Sequence, residues 1–245
     1  MIKALVLAAS LSLVAAAPAV KPYVAAALSD PARSADIGVD ARRKPAEILA
    51  FAGLKPGDTV VDLLPGGGYF TRIFSKVVGP KGRVIVIWAK EYAAEAHPDP
   101  ENSRKLAASP GFGNITVLDE PAAAFSTPEP VDMVFTSQNY HDYPDKFMGK
   151  VDPVAFDRQV FKALKPGGTF LVIDHVAEAG SAMRDTDTLH RIDPAIVKRQ
   201  VTSVGFVFQG ESRALRNPAD DHRKAVFDKA IRGHTDQFIY KFRKP

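Results

Sequence analysis

Short apolar runs recur along most of the chain, and each is bounded by glycine, proline or a charged residue. The runs are rich in β-branched residues, which is typical of buried β-strands. They predict seven strands, at Thr59–Leu64, Arg83–Trp88, Asn114–Leu118, Val131–Thr136, Thr169–Asp174, Phe206–Ser212 and Gln237–Phe242.

Segments with helical spacing lie between these strands, and several begin with proline and end before glycine. They predict helices at Pro45–Phe51, Tyr69–Val78, Glu101–Ser109, Pro153–Leu164 and Pro194–Val204. Because continuous apolar strands alternate with helices, we expect an α/β fold whose largely parallel sheet is covered by helices on both faces. The last two strands break the alternation and predict an antiparallel insertion at one edge of the sheet.

The N-terminus carries a separate pattern. Lys3 precedes an apolar run over residues 4–17, and the run leads into Ala17-Pro18-Ala19, a site typical of signal-peptidase cleavage. The run is shorter than the roughly 20 residues that cross a bilayer, so we expect no stable membrane anchor. The alternative is a buried N-terminal helix. We expect a signal peptide over residues 1–19, an N-terminal extension over 20–44, a single domain over 45–245, and a periplasmic or secreted protein.

Composition excludes several classes of protein. The 245 residues contain no cysteine, 46% are hydrophobic and 24% are charged, which rules out disulfide scaffolds and fully disordered chains. The formal charge of +4, from 32 basic and 28 acidic residues, is spread along the chain. We therefore expect a small-molecule substrate and neither a nucleic-acid groove nor a polybasic membrane anchor.

Polar residues gather where the predicted strands end. In open α/β sheets, ligands bind outside the carboxyl ends of the strands. Five strands end in such residues: Asp62 with Gly66-Gly67-Gly68, Trp88 with Glu91, Asp119, Asn139 to Asp142, and Asp174-His175. Together these ends predict a binding site along one edge of the sheet.

The glycine segment Gly66-Gly67-Gly68 stands between a strand and a helix, where backbone can approach a ligand closely. The alternative is a tight turn that binds nothing. The segment is a poor dinucleotide fingerprint because Thr71 stands at the third glycine position. It also lacks the Gly-Lys-Ser/Thr ending of a phosphate-binding loop.

Two segments resemble motifs of the class I S-adenosylmethionine-dependent methyltransferases. Asp62 to Gly68 is similar to the acid-and-glycine motif D/E-x-G-x-G-x-G, with Leu64 where the first glycine would stand. Lys165 to Leu171 is similar to the family's L-K-P-G-G-x-L/F segment. The resemblance runs from Pro45 to the C-terminus. The chain also resembles an exported bacterial group of predicted methyltransferases whose fourth strand leads into Asn-x-His-Asp.

The resemblance implies a Rossmann-like sandwich with strand order 3-2-1-4-5-7-6, strand 7 antiparallel, and S-adenosylmethionine as the cofactor. It also implies that the strand-end acid and the glycine loop contact the methionine part of the cofactor and that Asp119 receives the adenine amino group. A helix N-cap is the alternative role for Asp119. The cofactor-binding residues that it implies are Asp62, Gly66, Gly67, Gly68, Glu91, Asp119 and Asn139.

The second strand departs from the family pattern. Members of the family usually carry an acid at its end that accepts hydrogen bonds from the ribose hydroxyls, whereas this chain has Trp88. Glu91, three residues further on, is the candidate replacement. Its alternative role is a solvated acid at the start of a helix.

Methyl transfer is an in-line displacement at an activated carbon, so positioning contributes most of the rate and a base is needed only for a protonated acceptor. The candidate catalytic residues are His141, Asp142 and His190, although a lone histidine is more often structural. Two other hypotheses stay open. One is a non-catalytic or altered-cofactor descendant of the fold, and the other is a metal-dependent enzyme that uses the same three residues with His175. No H-x-x-x-H or paired-cysteine spacing supports the last, so we predict no metal ligands.

Overall fold

The computed structural model describes residues 20–94 and 98–245, so the predicted signal peptide lies outside the described residues. The described strands form one seven-stranded sheet in the order β3-β2-β1-β4-β5-β7-β6. The strands are β1 Thr59–Leu63, β2 Arg83–Ala89, β3 Ile115–Glu120, β4 Val131–Ser137, β5 Leu164–His175, β6 Val207–Ser212 and β7 Gln237–Arg243. Strand β1 is parallel to β2 and β4, and β7 is antiparallel to both β5 and β6. The expected order and the antiparallel seventh strand are confirmed.

Nine α-helices are described. They are α1 Pro22–Leu28, α2 Ile37–Arg43, α3 Pro45–Ala52, α4 Tyr69–Val78, α5 Lys90–Ala94, α6 Asp99–Ala107, α7 Pro153–Ala163, α8 Thr186–Leu189 and α9 Pro194–Ser203. The short helices α5 and α8 carry too few apolar positions for their periodicity to predict them. No helix among the described residues has the length and hydropathy needed to span a bilayer.

Helices cover both faces of the sheet, as the register shows. Phe135 of β4 pairs with Leu171 of β5, so these two side chains share a face and Phe170 points to the other. The ring of Phe74 in α4 lies 4.9 Å from that of Phe135, whereas Phe156 in α7 contacts Phe170 at 6.5 Å. Helices α4 and α7 therefore lie on opposite faces.

Strand β5 begins earlier than the sequence predicts. Its first residue is Leu164, which pairs with Val131, and the register shifts between Val131 and Met133. Lys165-Pro166-Gly167-Gly168 therefore enters the strand through an irregularity instead of forming a separate turn. A side chain at Gly168 would place its Cβ 2.8 Å from the Lys165 carbonyl oxygen, so this bend requires glycine.

The segment over residues 20–44 packs onto the domain. Val24 and Ala27 of α1 belong to the hydrophobic core, and the Tyr23 hydroxyl donates to the Leu54 carbonyl at 3.2 Å. Asp36 accepts two hydrogen bonds from Arg72 of α4, at 2.5 and 2.7 Å. The extension is thus bound to the helix that follows the glycine segment.

Candidate functional site

The loop from Leu64 to Gly68 joins β1 to α4 at the carboxyl edge of the sheet. Gly66 and Gly68 have positive φ angles of 54° and 76°, a conformation that glycine adopts without steric cost. A Cβ atom added at Gly66 or Gly67 would meet no atom of the described residues within 4 Å. The backbone at Gly66 and Gly67 therefore faces open space, whereas a Cβ atom at Gly68 would lie 3.3 Å from Nη1 of Arg72 and 3.5 Å from Cδ2 of Leu106.

Leu64, which stands at the first glycine position of the motif, takes a left-handed backbone conformation. Its φ angle is +49°, which costs a non-glycine residue on the order of 1–3 kcal/mol. Its N–H donates to the Ile87 carbonyl at 3.0 Å, and its own carbonyl accepts from Nδ2 of Asn139 at 2.8 Å. Leu64 thus holds a backbone conformation that glycine adopts without steric cost.

Asp62 lies fully buried in β1, directly before this loop. One of its carboxylate oxygens accepts a 2.6 Å hydrogen bond from Thr71 of α4. Burial raises the pKa of Asp62 to about 7, although the Thr71 hydroxyl and the guanidinium of Arg43 act in the opposite direction. Thr71, which disqualified the segment as a dinucleotide fingerprint, therefore serves as the partner of the strand-end acid.

The side-chain amide of Asn139 forms hydrogen bonds with other residues of the protein. Its Nδ2 group donates to the carbonyls of Leu63 and Leu64, and its Oδ1 accepts from the Thr136 hydroxyl. The residue joins the end of β4 to the glycine loop. Its predicted contact with the cofactor stays a prediction.

The end of β2 carries no acid. Trp88 is fully buried, its Nε1 donates to Ser103 at 3.1 Å, and its ring stacks on Tyr92 with centroids 5.2 Å apart. Glu91 lies in α5, where one carboxylate oxygen accepts a 2.9 Å hydrogen bond from the Ala122 N–H. That bond ties Glu91 to the loop after β3, so Glu91 is fixed at the predicted cofactor edge and is not a freely solvated acid.

Asp119 is aligned with Trp88 in the parallel register of β3 and β2. One oxygen accepts from Arg104 of α6, and the other is buried without a partner among the described residues. No helix follows Asp119 before β4, so the alternative of an N-cap does not apply. A buried unpaired acceptor at a strand end is a site that a ligand donor would satisfy.

A polar cluster occupies the ends of β4 and β5. Nε2 of His141 lies 3.1 Å from Oδ1 of Asp142 and 3.3 Å from Nδ1 of His190, and these last two atoms are 3.9 Å apart. On its other side, Nδ1 of His141 lies 2.8 Å from Oδ1 of the fully buried Asp174. The sequence-predicted catalytic residues His141, Asp142 and His190 therefore meet in space.

Asp174 holds this cluster in place. Its second oxygen accepts from the backbone N–H of His141 at 2.9 Å, and the His175 N–H donates to the first at 2.8 Å. The sequence predicts Asp174 as a strand-end acid but assigns it no role. The signal for that role is the adjacency of β4 and β5, which places the residues that follow the two strands next to each other.

The carboxylates set the protonation of the cluster. Burial disfavours charged His141, but Asp174 and Asp142 outweigh it and hold the pKa of His141 well above its ordinary value. Burial acts to raise the pKa of Asp142, but His141 and His190 outweigh it and keep that pKa below its ordinary value. His175 lies apart, with Nδ1 2.8 Å from the Thr235 hydroxyl, and burial lowers its pKa to about 4.

A cavity of about 590 Å³ opens beside the end of β4. Helix α4, the end of α2 and the segment before β7 contribute to its wall. Arg216 in that wall is neutralised by Asp236 at 2.9 Å and Glu211 at 3.1 Å. The basic residues that line the cavity are Arg42, Arg43, Lys44 and Arg216.

Known proteins share this fold and parts of this sequence. A family model described as protein-L-isoaspartate(D-aspartate) O-methyltransferase matches residues 18–213. The chain is similar to the ubiquinone/menaquinone biosynthesis C-methyltransferase of Vibrio cholerae serotype O1, with 27% identity over 78% of this chain and 63% of that one. It is also similar to the protein-L-isoaspartate O-methyltransferase of Methanococcus maripaludis, with 26% identity over 63% of this chain and 62% of that one. The chain thus spans less than two thirds of the length of both relatives.

A solved structure supports the same fold. The crystal structure of a SAM-dependent methyltransferase from Aquifex aeolicus superposes with a TM-score of 0.57 and 21% identity, over 89% of this chain and 95% of that one. The resemblance predicted from the glycine motif is therefore confirmed, while the finer resemblance to an exported group stays a prediction.

Proposed function

We propose that the chain, which belongs to the protein-L-isoaspartate(D-aspartate) O-methyltransferase family, transfers a methyl group from S-adenosylmethionine. We also propose that the acceptor is a small molecule, which the cavity of about 590 Å³ is large enough to hold. Its sheet is that of the class I methyltransferases, for which S-adenosylmethionine is the cofactor. Function does not follow from a fold alone, so the proposal depends on the site.

The observation that carries the proposal is the open glycine loop beside a buried acid. Gly66 and Gly67 present backbone to open space at the N-terminus of α4, and Asp62 lies at the strand end before them. The unpaired oxygen of Asp119 adds a buried acceptor on β3, two strands away. These residues fit a nucleoside cofactor that also carries a charged amino-acid part.

The cofactor supplies an activated methyl group, and the residues of this chain have to orient the acceptor and exclude water. The cluster of His141, Asp142 and His190 is the candidate for the acceptor side. His190 is the more exposed histidine of the cluster, at 29% of its side chain, and offers its ring to a proton that an acceptor loses. Asn139 joins this side to the glycine loop through the Leu64 carbonyl.

Titration calorimetry with S-adenosylmethionine, S-adenosylhomocysteine and NAD tests the proposal directly. We expect the first two to bind and NAD not to bind. In Gly67→Val, the new side chain enters the open space without disturbing the fold and should weaken S-adenosylmethionine binding by roughly tenfold or more, a loss of about 1.4 kcal/mol.

Gly113→Val is the matched control, because a Cβ at Gly113 also meets nothing within 4 Å but lies in the turn before β3. Equal binding by wild type and Gly67→Val would contradict the proposed location. NAD binding without S-adenosylmethionine binding would contradict the proposed function.

A second candidate is a protein of the same fold that binds an altered cofactor or has lost catalysis. Trp88 favours it, because the position that usually carries the ribose-binding acid is filled by a buried indole. If the cofactor is altered, S-adenosylmethionine does not bind in the same titration; if catalysis is lost, it binds without methyl transfer. If Glu91 replaces the missing acid, Glu91→Gln lowers affinity for S-adenosylmethionine while thermal stability stays close to that of wild type.

The basic cavity supports an acceptor with an acidic group. Arg42, Arg43 and Lys44 bring positive charge to one wall of a space large enough for a small molecule. The named relatives methylate different atoms, oxygen in one case and carbon in the other, so their names do not select an acceptor for this chain.

We also propose that the chain is exported. The support is the sequence pattern over residues 1–19, with its basic start, apolar run and Ala17-Pro18-Ala19 site. Cell fractionation that finds the full-length chain in the cytosol would contradict export.

A further inference from the structure

We propose that His141, Asp142 and His190 form a binding site for one first-row divalent transition-metal ion. The described residues place Nε2 of His141, Oδ1 of Asp142 and Nδ1 of His190 within 4.8 Å of one another. Two imidazoles and one carboxylate form a ligand set that suits Fe(II), Mn(II), Co(II) and Zn(II). Metal binding is measured without a methyl acceptor, so this inference stands apart from the proposed methyl transfer.

The distances between the ligand atoms match those around a bound metal. A metal held at about 2.0–2.2 Å by each ligand keeps neighbouring ligand atoms roughly 3.0–3.5 Å apart. Nε2 of His141 lies 3.1 Å from Asp142 and 3.3 Å from His190. Only the separation of 3.9 Å between Nδ1 of His190 and Oδ1 of Asp142 exceeds this range.

The outer partners of the site are already formed. Metal-bound histidine typically donates its other ring N–H to a carboxylate, which fixes the tautomer and the ring orientation. Here Nδ1 of His141 lies 2.8 Å from Asp174, and because an ionised carboxylate only accepts, the proton is on Nδ1. Nε2 faces Asp142 and His190, and a metal ion bound there would take the place of the proton that Nε2 shares with these two neighbours.

The surroundings leave one side of the site open. His141 is almost fully buried, whereas the side chains of Asp142 and His190 are 14% and 29% exposed. Phe227, itself exposed, lies against the His190 ring with centroids 4.8 Å apart. Three protein ligands on one side and solvent on the other are typical of a metal site that keeps positions for water or substrate.

Zn²⁺ and Co²⁺ titrations of chelator-treated protein test the site. We expect one ion per chain, with visible Co²⁺ absorption that reports nitrogen and oxygen ligands. His190→Gln and Asp142→Asn should each weaken Zn²⁺ binding by more than about 100-fold, since loss of an outer partner alone costs about 10–100-fold. His234→Gln is the control, because His234 is an exposed histidine outside the cluster, and it should bind Zn²⁺ as wild type does.

Absence of stoichiometric binding in wild type, or unchanged binding in His190→Gln, would overturn the proposal and leave a protonated His141 as the bridge between the two carboxylates. Anomalous diffraction from wild-type crystals soaked in Zn²⁺ decides the case without a variant. A peak between the three side chains supports the site, and a peak only at other residues overturns it.

Discussion

At the scale of single residues, Asp62 shows how burial changes the pKa of a group that the sequence predicts as a site residue. The strand-end position predicted Asp62 as a site residue, but the sequence could not reveal that Thr71 and Arg43 would face it. Those contacts depend on how α2 and α4 pack over β1. The sequence predicted the residue, and tertiary packing determines its chemistry.

Asp62→Asn should change the pH dependence of stability. The folded protein keeps the proton on Asp62 up to a pKa of about 7, whereas the unfolded chain loses it near the ordinary value of 3.8. Between these values the folded state binds more protons, so wild type loses stability as pH rises from about 4 to 7. Asparagine stays neutral and still accepts from Thr71, so the variant lacks this loss.

Urea unfolding at pH 4 and pH 8 measures the effect. From pH 4 to pH 8, we expect the free energy of unfolding of the variant to rise relative to that of wild type by up to a few kcal/mol. Glu47→Gln, at an exposed position of α3, is the control that should show no such gain. A difference between Asp62→Asn and wild type that is the same at both pH values would contradict the assignment.

At the scale of elements, α4 connects the N-terminal extension to the glycine loop. Arg72 binds both oxygens of Asp36 and also donates to the Gly67 carbonyl at 3.0 Å. The sequence predicted α4 at its observed bounds, because its apolar spacing and its flanking glycines are local signals. It could not predict the partner of Arg72, since Asp36 lies in a segment with weak periodicity.

Arg72→Gln should loosen the glycine loop. The substitution removes charge-assisted hydrogen bonds that are only partly exposed, which we expect to lower the free energy of unfolding by about 1–3 kcal/mol. S-adenosylmethionine affinity should fall as well, because Gly67 loses a contact that holds it. Urea unfolding and calorimetry measure the two effects.

Arg83→Gln provides the comparison, since Arg83 forms a solvent-exposed ion pair with Glu129 far from the loop. Equal loss of cofactor affinity in both variants would show that Arg72 has no specific role in the loop.

Across the protein, the resemblance to the methyltransferases implied the observed strand order, and the binding site at the strand ends stays a prediction. Residues 20–44, predicted as an extension before the domain, pack against the domain. Strands with strong apolar runs can be predicted from the local sequence. The antiparallel β7 was predicted because the regular alternation of strands and helices stops before it. The extension over 20–44 has little hydrophobic periodicity, yet Val24, Ala27 and Arg33 are buried against the domain. The contact between His141 and His190 at the ends of β4 and β5 could not be predicted from the sequence pattern, because the two residues are distant in sequence.

A chain that begins at Pro45 should therefore be less stable than one that begins at Val20. The shorter chain lacks α1, so the core loses the buried side chains of Val24 and Ala27. Burial of a valine side chain alone contributes about 1.5–3 kcal/mol to the free energy of unfolding. We expect the melting temperature to fall by roughly 10 °C or more. Differential scanning fluorimetry of the two chains measures this, and equal melting temperatures would show that residues 20–44 are dispensable for the fold.

The buried indole of Trp88 leaves no room at the end of β2 for the acid that the family usually carries there. Trp88 fills a fully enclosed space and stacks on Tyr92, so its replacement by aspartate would leave a void and introduce an unpaired charge there. Loss of a buried tryptophan alone costs about 3–5 kcal/mol. Aspartate at position 88 would therefore lower the stability of this chain. Any group that binds the ribose hydroxyls here has to come from a neighbouring position.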